Sequence, residues 1–316
     1  MSTAPEGKKK TGLSRRALVK AAGWLGLAGA MFGAAKTAAQ TASGADGSAV
    51  SDAISGFFQQ HYQRMGPEEV VAAIARIKRN AQRKFGVDIE VGNEPPLPDV
   101  VFGYALNISK CKGTRKCVEA CVAENNQNRD TPIQYIRVLE IDQGSLDLNE
   151  SDHYYDADSV PRPGKVYLPI QCQQCDEPPC VKACPVEATW MEPDGITVVD
   201  YDWCIGCRYC MAACPYWARH FNWSEPAVLS QQINRDTHYL GNRPRPKGVV
   251  EKCTYCIQRT RKGRLPACLE ACPTGARVFG NLLDPNSDIR YVLENKTVFR
   301  LKEELGTEPK FWYYTD

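Results

Sequence analysis

The sequence lacks the usual marks of a catalyst. Its 316 residues include only four histidines, His61, His153, His220 and His238, scattered along the chain. No C-x-x-C-H run occurs, which excludes the usual attachment of haem c. Neither a G-x-G-x-x-G fingerprint nor a G-x-x-x-x-G-K-[ST] loop is present, so the standard nucleotide-binding signatures are missing. No acid–base constellation is recognisable. A dominant charge is lacking too: 39 Lys and Arg face 37 Asp and Glu, a net charge of +2. That balance gives no field to attract a polyanion, and nucleic acid is not an expected partner. After residue 40 no apolar run reaches the ~20 residues of a membrane span. What remains is a chain long enough for a sizeable core, carrying fifteen cysteines.

The cysteines lie in four tight groups. Group one is Cys111, Cys117 and Cys121. Group two is Cys172, Cys175, Cys180 and Cys184. Group three is Cys204, Cys207, Cys210 and Cys214. Group four is Cys253, Cys256, Cys268 and Cys272. An odd count cannot close entirely into disulfides within the chain. Short gaps let neighbouring thiolates converge on one centre, which suits metal. Group three, CIGCRYCMAACP, matches the bacterial ferredoxin run letter for letter. In that run three thiolates on a tight loop hold one cluster, and the fourth ligates the other cluster of a pair. The fourth cysteine is expected to begin a helix, with the following proline (Pro185, Pro215 or Pro273) in its first turn. Groups two and three then read as one dicluster module. Cys172, Cys175, Cys180 and Cys214 hold one cluster; Cys184, Cys204, Cys207 and Cys210 hold the other. Zinc also takes paired C-x-x-C ligands, but it leaves the third cysteine of each triplet and the trailing Cys-Pro unexplained.

The first 39 residues read as an export signal. Lysines 8–10 and SRRALVK precede an uncharged stretch, Ala21 to Ala35, and small residues surround Ala39. Arg15-Arg16 points to the twin-arginine route, with Leu18 where its consensus has Phe. An Ala/Ser/Gly-rich linker over 40–55 follows. Gly66 to Gly86 then predicts an amphipathic helix, with Pro67 and acidic Glu68 and Glu69 at its start. Val70, Ile74, Ile77, Ala81 and Phe85 form its apolar stripe, packed on the main domain. The linker and helix occupy 40–99.

The four groups in this order resemble the four-cluster electron-transfer subunits of complex iron–sulfur molybdoenzymes, the dimethyl sulfoxide, nitrate, polysulfide and tetrathionate reductase type. They are also similar to the exported iron–sulfur subunits of alternative complex III and menaquinone reductases. The resemblance covers about residues 100–316 and includes the closing segment from Leu282 to Tyr314. It implies an α+β fold of two interlocked dicluster ferredoxin-like modules with inserted loops and an N-terminal helical extension. The inner module would span about 166–222, the outer about 100–130 and 248–282, and a tail 283–316. It also implies the remaining ligand sets: Cys121, Cys253, Cys256 and Cys268 for one cluster, and Cys111, Cys117 and Cys272 for another.

The function implied is electron relay between a catalytic molybdopterin or cytochrome subunit and a polysulfide-reductase-type quinone-binding membrane subunit. The protein would be exported folded to the periplasm and held at the membrane through its partners. The iron–sulfur subunit of an exported hydrogenase and a stand-alone polyferredoxin are the alternatives. The inserts at 122–171 and 215–252 read as docking surfaces. Lys112, Arg115, Lys116, Lys182 and Arg208 are candidates to tune cluster potentials.

Group one has one anomaly. In KCKGTRKCVEAC, Thr114 stands where the ferredoxin run has its second cysteine. A hydroxyl is a poor substitute for a soft thiolate. The favoured expectation is three 4Fe-4S clusters and one 3Fe-4S cluster on Cys111, Cys117 and Cys272. A 4Fe-4S cluster with an oxygen ligand at that corner, or no cluster there, are the other readings. By the resemblance, this site lies at the catalytic-subunit end of the relay.

Overall fold

The computed structural model describes residues 65–130, 133–145, 147 and 151–316. The expected export signal over 1–39 and the expected linker over 40–55 lie outside the described residues. Helix α1 spans Pro67–Phe85. Pro67 opens it, where a missing N–H leaves nothing unpaired. The Glu69 carboxylate accepts from the Gly66 N–H at 2.9 Å. Gly86, at φ 66°, ends the helix in the left-handed cap that glycine adopts without strain. Ala73, Ile77 and Ala81 are buried, whereas Val70, Ile74 and Phe85 are only half-buried. The inward stripe is thus turned towards Ala73, because small alanines let the helix axis come close. Arg76 and Lys84 pair with Asp202 and Glu225 at 2.9 and 2.7 Å. Exposed pairs contribute about 0–1 kcal/mol, so the apolar stripe carries the attachment.

Short elements bracket each cysteine group. Strand β1 (Glu90–Gly92) follows α1. Strand β2 (Phe102–Asn107) precedes group one, and α2 (Lys116–Glu124) lies within it. Strands β3 (Arg137–Asp142) and β4 (Lys165–Ile170) separate groups one and two, and α3 (Pro179–Lys182) lies in group two. Next come β5 (Thr189–Met191), β6 (Thr197–Val199) and, in group three, α4 (Tyr209–Ala212). Then follow β7 (Arg219–Phe221), β8 (Asp236–His238) and β9 (Val250–Lys252). Group four holds α5 (Ile257–Thr260) and α6 (Ala267–Glu270). The chain closes with β10 (Arg277–Asn281), α7 (Asp288–Asn295), β11 (Val298–Phe299) and β12 (Phe311–Tyr314).

The pairing of these strands is cyclic. The strand leaving each group is antiparallel to the strand entering the next: β3 with β4, β5 with β6, β7 with β9, and β10 back with β2. The last pairing joins residues 102–107 to 277–281, and so brings the first and last cysteine groups together. β2 is buried along all six residues because both faces are covered. The aromatic run Phe311-Trp312-Tyr313-Tyr314 pairs with β2 in parallel as β12. Phe311 stacks on Tyr104 with ring centroids 5.0 Å apart, and Phe311 and Tyr313 have no exposed surface. The run is core.

One expectation is corrected. The fourth cysteine of each group does not begin a helix. In groups two, three and four a single helical turn, α3, α4 or α6, precedes Cys184, Cys214 or Cys272 and ends there. The proline that follows disfavours helical backbone in the residue before it and could not donate to a continuing ladder. In group one Val122 replaces that proline, and α2 runs on past Cys121 to Glu124.

The inserts first serve the interior. From 122–171, Tyr155 donates to the Gly113 carbonyl at 2.6 Å, and the Tyr167 ring lies against Gly113. From 215–252, Asn242 Nδ2 reaches the Glu124 carbonyl at 3.0 Å, and buried Arg245 pairs with Glu251 at 3.1 Å.

Candidate metal centres

None of the fifteen cysteines forms a disulfide. Three sets line three cavities. Cys184, Cys204, Cys207 and Cys210 line one with about 330 Å³ of open space. Cys172, Cys175, Cys180 and Cys214 line a second of about 340 Å³. Cys111, Cys117 and Cys272, with Thr114, line a third of about 340 Å³. The remaining four also meet: the Cys121 thiol interacts with those of Cys253, Cys256 and Cys268, and Asn125 Nδ2 lies 3.6 Å from Cys121 Sγ and 3.7 Å from Cys256 Sγ.

Local backbone explains how each loop wraps a cavity. The residue before the second ligand position is left-handed in all four loops: Gly113 (φ 75°), Gln174 (φ 45°), Gly206 (φ 74°) and Tyr255 (φ 53°). The Thr114 loop therefore keeps the geometry of its cysteine counterparts. After each Cys-Pro pair the chain turns through another left-handed residue, Glu187, Trp217 or Gly275. That turn aims two N–H groups back at the sulfur: Val186 and Ala188 at Cys184, Tyr216 and Ala218 at Cys214, Thr274 and Ala276 at Cys272. Side chains supply more contacts. Gln127 Nε2 donates to Cys121 Sγ at 3.3 Å and Arg219 Nη2 to Cys180 Sγ at 3.0 Å, and the Tyr104 hydroxyl is 3.3 Å from Cys268 Sγ.

Burial disfavours charge on these sulfurs. It pushes Cys111 and Cys210 up to about 11, and Cys175 and Cys253 up to about 12. Cys272 differs. Burial acts upward there too, but hydrogen bonds from the Thr274 side chain and from the backbone of Thr274 and Ala276, with the Arg277 charge, hold the thiol below its usual range.

This donor set fits an iron–sulfur cluster better than a single ion. Tetrahedral zinc, with bonds of about 2.3 Å, would need thiols about 3.8 Å apart. Among the described residues no group of three or more His, Cys, Asp or Glu side chains is placed to hold a single metal ion. The thiols ring a space instead. Of the histidines, His238 is buried, and burial lowers it to about 4; its Nδ1 accepts from the Leu240 N–H at 3.1 Å. It is a core residue.

Of the cations expected to tune the clusters, Lys112 and Arg115 line the Cys111 cavity and Arg208 lines the Cys184 cavity. Lys116 pairs with Glu119 and Lys182 with Glu177, Arg115 binds the His153 carbonyl and Gln134, and Arg208 lies over the Phe221 and Trp223 rings. Sequence reasoning missed three buried cations: Arg219, Lys252 and Arg277. Two had a signal in the repeat C-P-x-x-A-R, at Cys214 and at Cys272. Lys252 directly precedes Cys253.

A 4Fe-4S dicluster domain family matches residues 164–245 and 242–282. A selenate reductase subunit of Mesobacillus selenatarsenatis is 36% identical over 239 residues, 72% of this chain and 76% of that protein. The iron–sulfur cluster-binding subunit of menaquinone reductase from Nitratidesulfovibrio vulgaris is 37% identical over 240 residues, 68% and 88% of the two chains. One of the polysulfide reductase chains of Wolinella succinogenes is 34% identical over 212 residues, 67% and 92%. With cysteine-lined cavities in an α+β fold and these relatives covered over most of their length, the protein belongs to the family of iron–sulfur electron-transfer subunits of molybdoenzyme-type, membrane-associated respiratory oxidoreductases.

Proposed function

We propose that the fifteen cysteines bind three 4Fe-4S clusters and one 3Fe-4S cluster in two interlocked dicluster modules. The sets are Cys172, Cys175, Cys180 and Cys214; Cys184, Cys204, Cys207 and Cys210; Cys121, Cys253, Cys256 and Cys268; and Cys111, Cys117 and Cys272. The observation that carries this reading is the convergence of each set, three of them on one cavity apiece. Such clusters supply one-electron carriers whose potentials follow net charge, hydrogen bonds and exposure. The chain's part is to bury the thiols, aim N–H donors at their sulfurs and hold the sets close together. The relay runs between a molybdopterin or cytochrome catalytic subunit and a quinone-reactive membrane subunit of the polysulfide-reductase type. The menaquinone and polysulfide reductase relatives support that pairing. The twin-arginine signal carries the folded protein to the periplasm. Among the described residues no helix is long and apolar enough to cross a membrane, consistent with attachment through partners.

Iron and acid-labile sulfide analysis of the anaerobically purified chain tests the count. About fifteen irons per chain with a three-iron signal in the oxidised protein is the expected result. About sixteen irons without that signal would remove the 3Fe-4S assignment. Purification from membranes without any companion subunit would remove the relay.

A further inference from the structure

Eight lysines and arginines are buried among the described residues. Five of them face a carboxylate: Arg243 with Asp202, Arg245 with Glu251, Arg259 with Glu124, Arg261 with Asp194, and Lys310 with Asp176. Arg219, Lys252 and Arg277 form no ion pair with a carboxylate among the described residues. Their partners are neutral. Arg219 donates to Cys180 Sγ and Thr189 Oγ1, both at 3.0 Å, and its Nε and Nη1 have no partner. Arg277 reaches Gln171 Oε1 at 2.9 Å and the Tyr104 hydroxyl at 3.4 Å, and its Nη2 has none. Lys252 Nζ donates to the Cys253 carbonyl at 2.7 Å and to Gln174 Oε1 at 3.3 Å. Moreover, Arg219 and Lys252 stand directly opposite each other on β7 and β9. Like charges in that position repel, and a buried charge without a counter-charge is costly. An anion must compensate them.

Their placement identifies it. Arg219 lines both the Cys184 cavity and the Cys172 cavity. Lys252 lines the Cys172 cavity and bonds to Cys253 of the next set. Arg277 lines the Cys111 cavity and touches Tyr104, whose hydroxyl contacts Cys268 of that same next set. The four thiol sets thus form a row with one buried cation in each gap.

We propose that Arg219, Lys252 and Arg277 are the counter-charges of the thiolate-ligated centres, each stabilising the reduced state of the two centres it separates. The inference rests on the cluster reading above. A fixed positive charge beside a centre that gains an electron favours the reduced form and raises its potential. The exposed lysines in group one, Lys112 and Lys116, cannot do this as well, because water screens them.

The test uses the anaerobically purified full-length chain in its native complex. Iron and sulfide are measured first, then potentials by redox titration followed with electron paramagnetic resonance. Arg219→Gln is expected to lower the potentials of two centres and Arg277→Gln those of the other two. The three-iron signal should move only in Arg277→Gln. Arg219→Lys and Arg277→Lys, which keep the charge, should stay near the wild type. Fully loaded Gln variants with unmoved potentials, or with shifts in the same centres, would overturn the inference. If a Gln variant fails to load, wild-type iron in the matching Lys variant supports a charge requirement, and loss of iron in both overturns it. Wild-type protein without iron and sulfide would instead refute the cluster reading itself.

Discussion

The Cys184 cavity and the Cys111 cavity are nearly the same construction. Each is entered through a left-handed glycine, Gly206 or Gly113, followed one residue beyond the second ligand position by a left-handed arginine, Arg208 or Arg115. Each ends on a Cys-Pro cysteine whose sulfur accepts two backbone N–H groups. Their open spaces are about 330 and 340 Å³. The main difference in the lining is one side chain: Cys207 in the first, Thr114 in the second. The loop is set by backbone turns and by the β-pairings around it, so a threonine in place of a cysteine leaves the same left-handed turn with a different side chain. Ligation chemistry and fold are separable here, and that separation can be attacked experimentally.

Removing iron and sulfide from both sites with a chelator under oxidising conditions should have the largest effect. It leaves uncompensated buried cations and empty loops, and metal-site binding energy is folding energy. Loss of the cooperative thermal transition, followed by circular dichroism, is the expected outcome; an unchanged melting temperature would show that the sites are not structural.

Exchanging the distinguishing residue comes next. Thr114→Cys should add about one iron per chain and remove the three-iron signal, while Cys207→Thr should remove about one iron and create a second such signal. Iron analysis and low-temperature resonance spectra decide it. If Cys207→Thr empties its site while the Thr114 site stays loaded, the two loops are not equivalent.

The glycines probe the backbone half of the comparison. A Cβ on Gly206 would meet the Gly248 carbonyl oxygen at 2.3 Å, and one on Gly113 would meet the Tyr167 ring at 2.3 Å. Left-handed strain alone costs about 1–3 kcal/mol. Gly206→Ala should destabilise more than Gly113→Ala, since a backbone oxygen yields less readily than a ring. Denaturant midpoints of the loaded proteins measure this ranking.

The smallest effect is expected from Thr274→Val. Thr274 Oγ1 lies 3.6 Å from Cys272 Sγ, whereas Val186 occupies the matching place beside Cys184. Losing that hydroxyl should lower the potential of the Cys111 site slightly and leave the Cys184 site unmoved. Redox titration of the variant checks both halves.

The ferredoxin spacing exposed the inner thiol sets, and CIGCRYC needed nothing beyond itself. The caps of α1 were equally legible, because Gly66, Pro67, Glu69 and Gly86 act within a few residues of where they stand. Other features were not. The stripe of α1 faces inward at Ala73 rather than Val70, since its rotation answers to the surface beneath it. The direction of the Cys-Pro turns was not legible, because proline suits a helix start and also stops a helix behind it; the strands on either side decide between the two. Arg219 and Arg277 were visible as a repeat, yet their burial was not.

By itself the sequence determined the number and grouping of the cysteines, the loops that carry them, and the substitution at Thr114. All of these are local, settled by residue chemistry and by backbone conformation over a few positions. Only the tertiary structure decided which groups face each other across the outer pair, that Phe311 to Tyr314 complete a sheet on β2, and that a buried cation stands in each gap. Those depend on pairings between strands far apart in the chain, with registers such as Arg219 opposite Lys252 set by burial and by the hydrogen-bonded ladder.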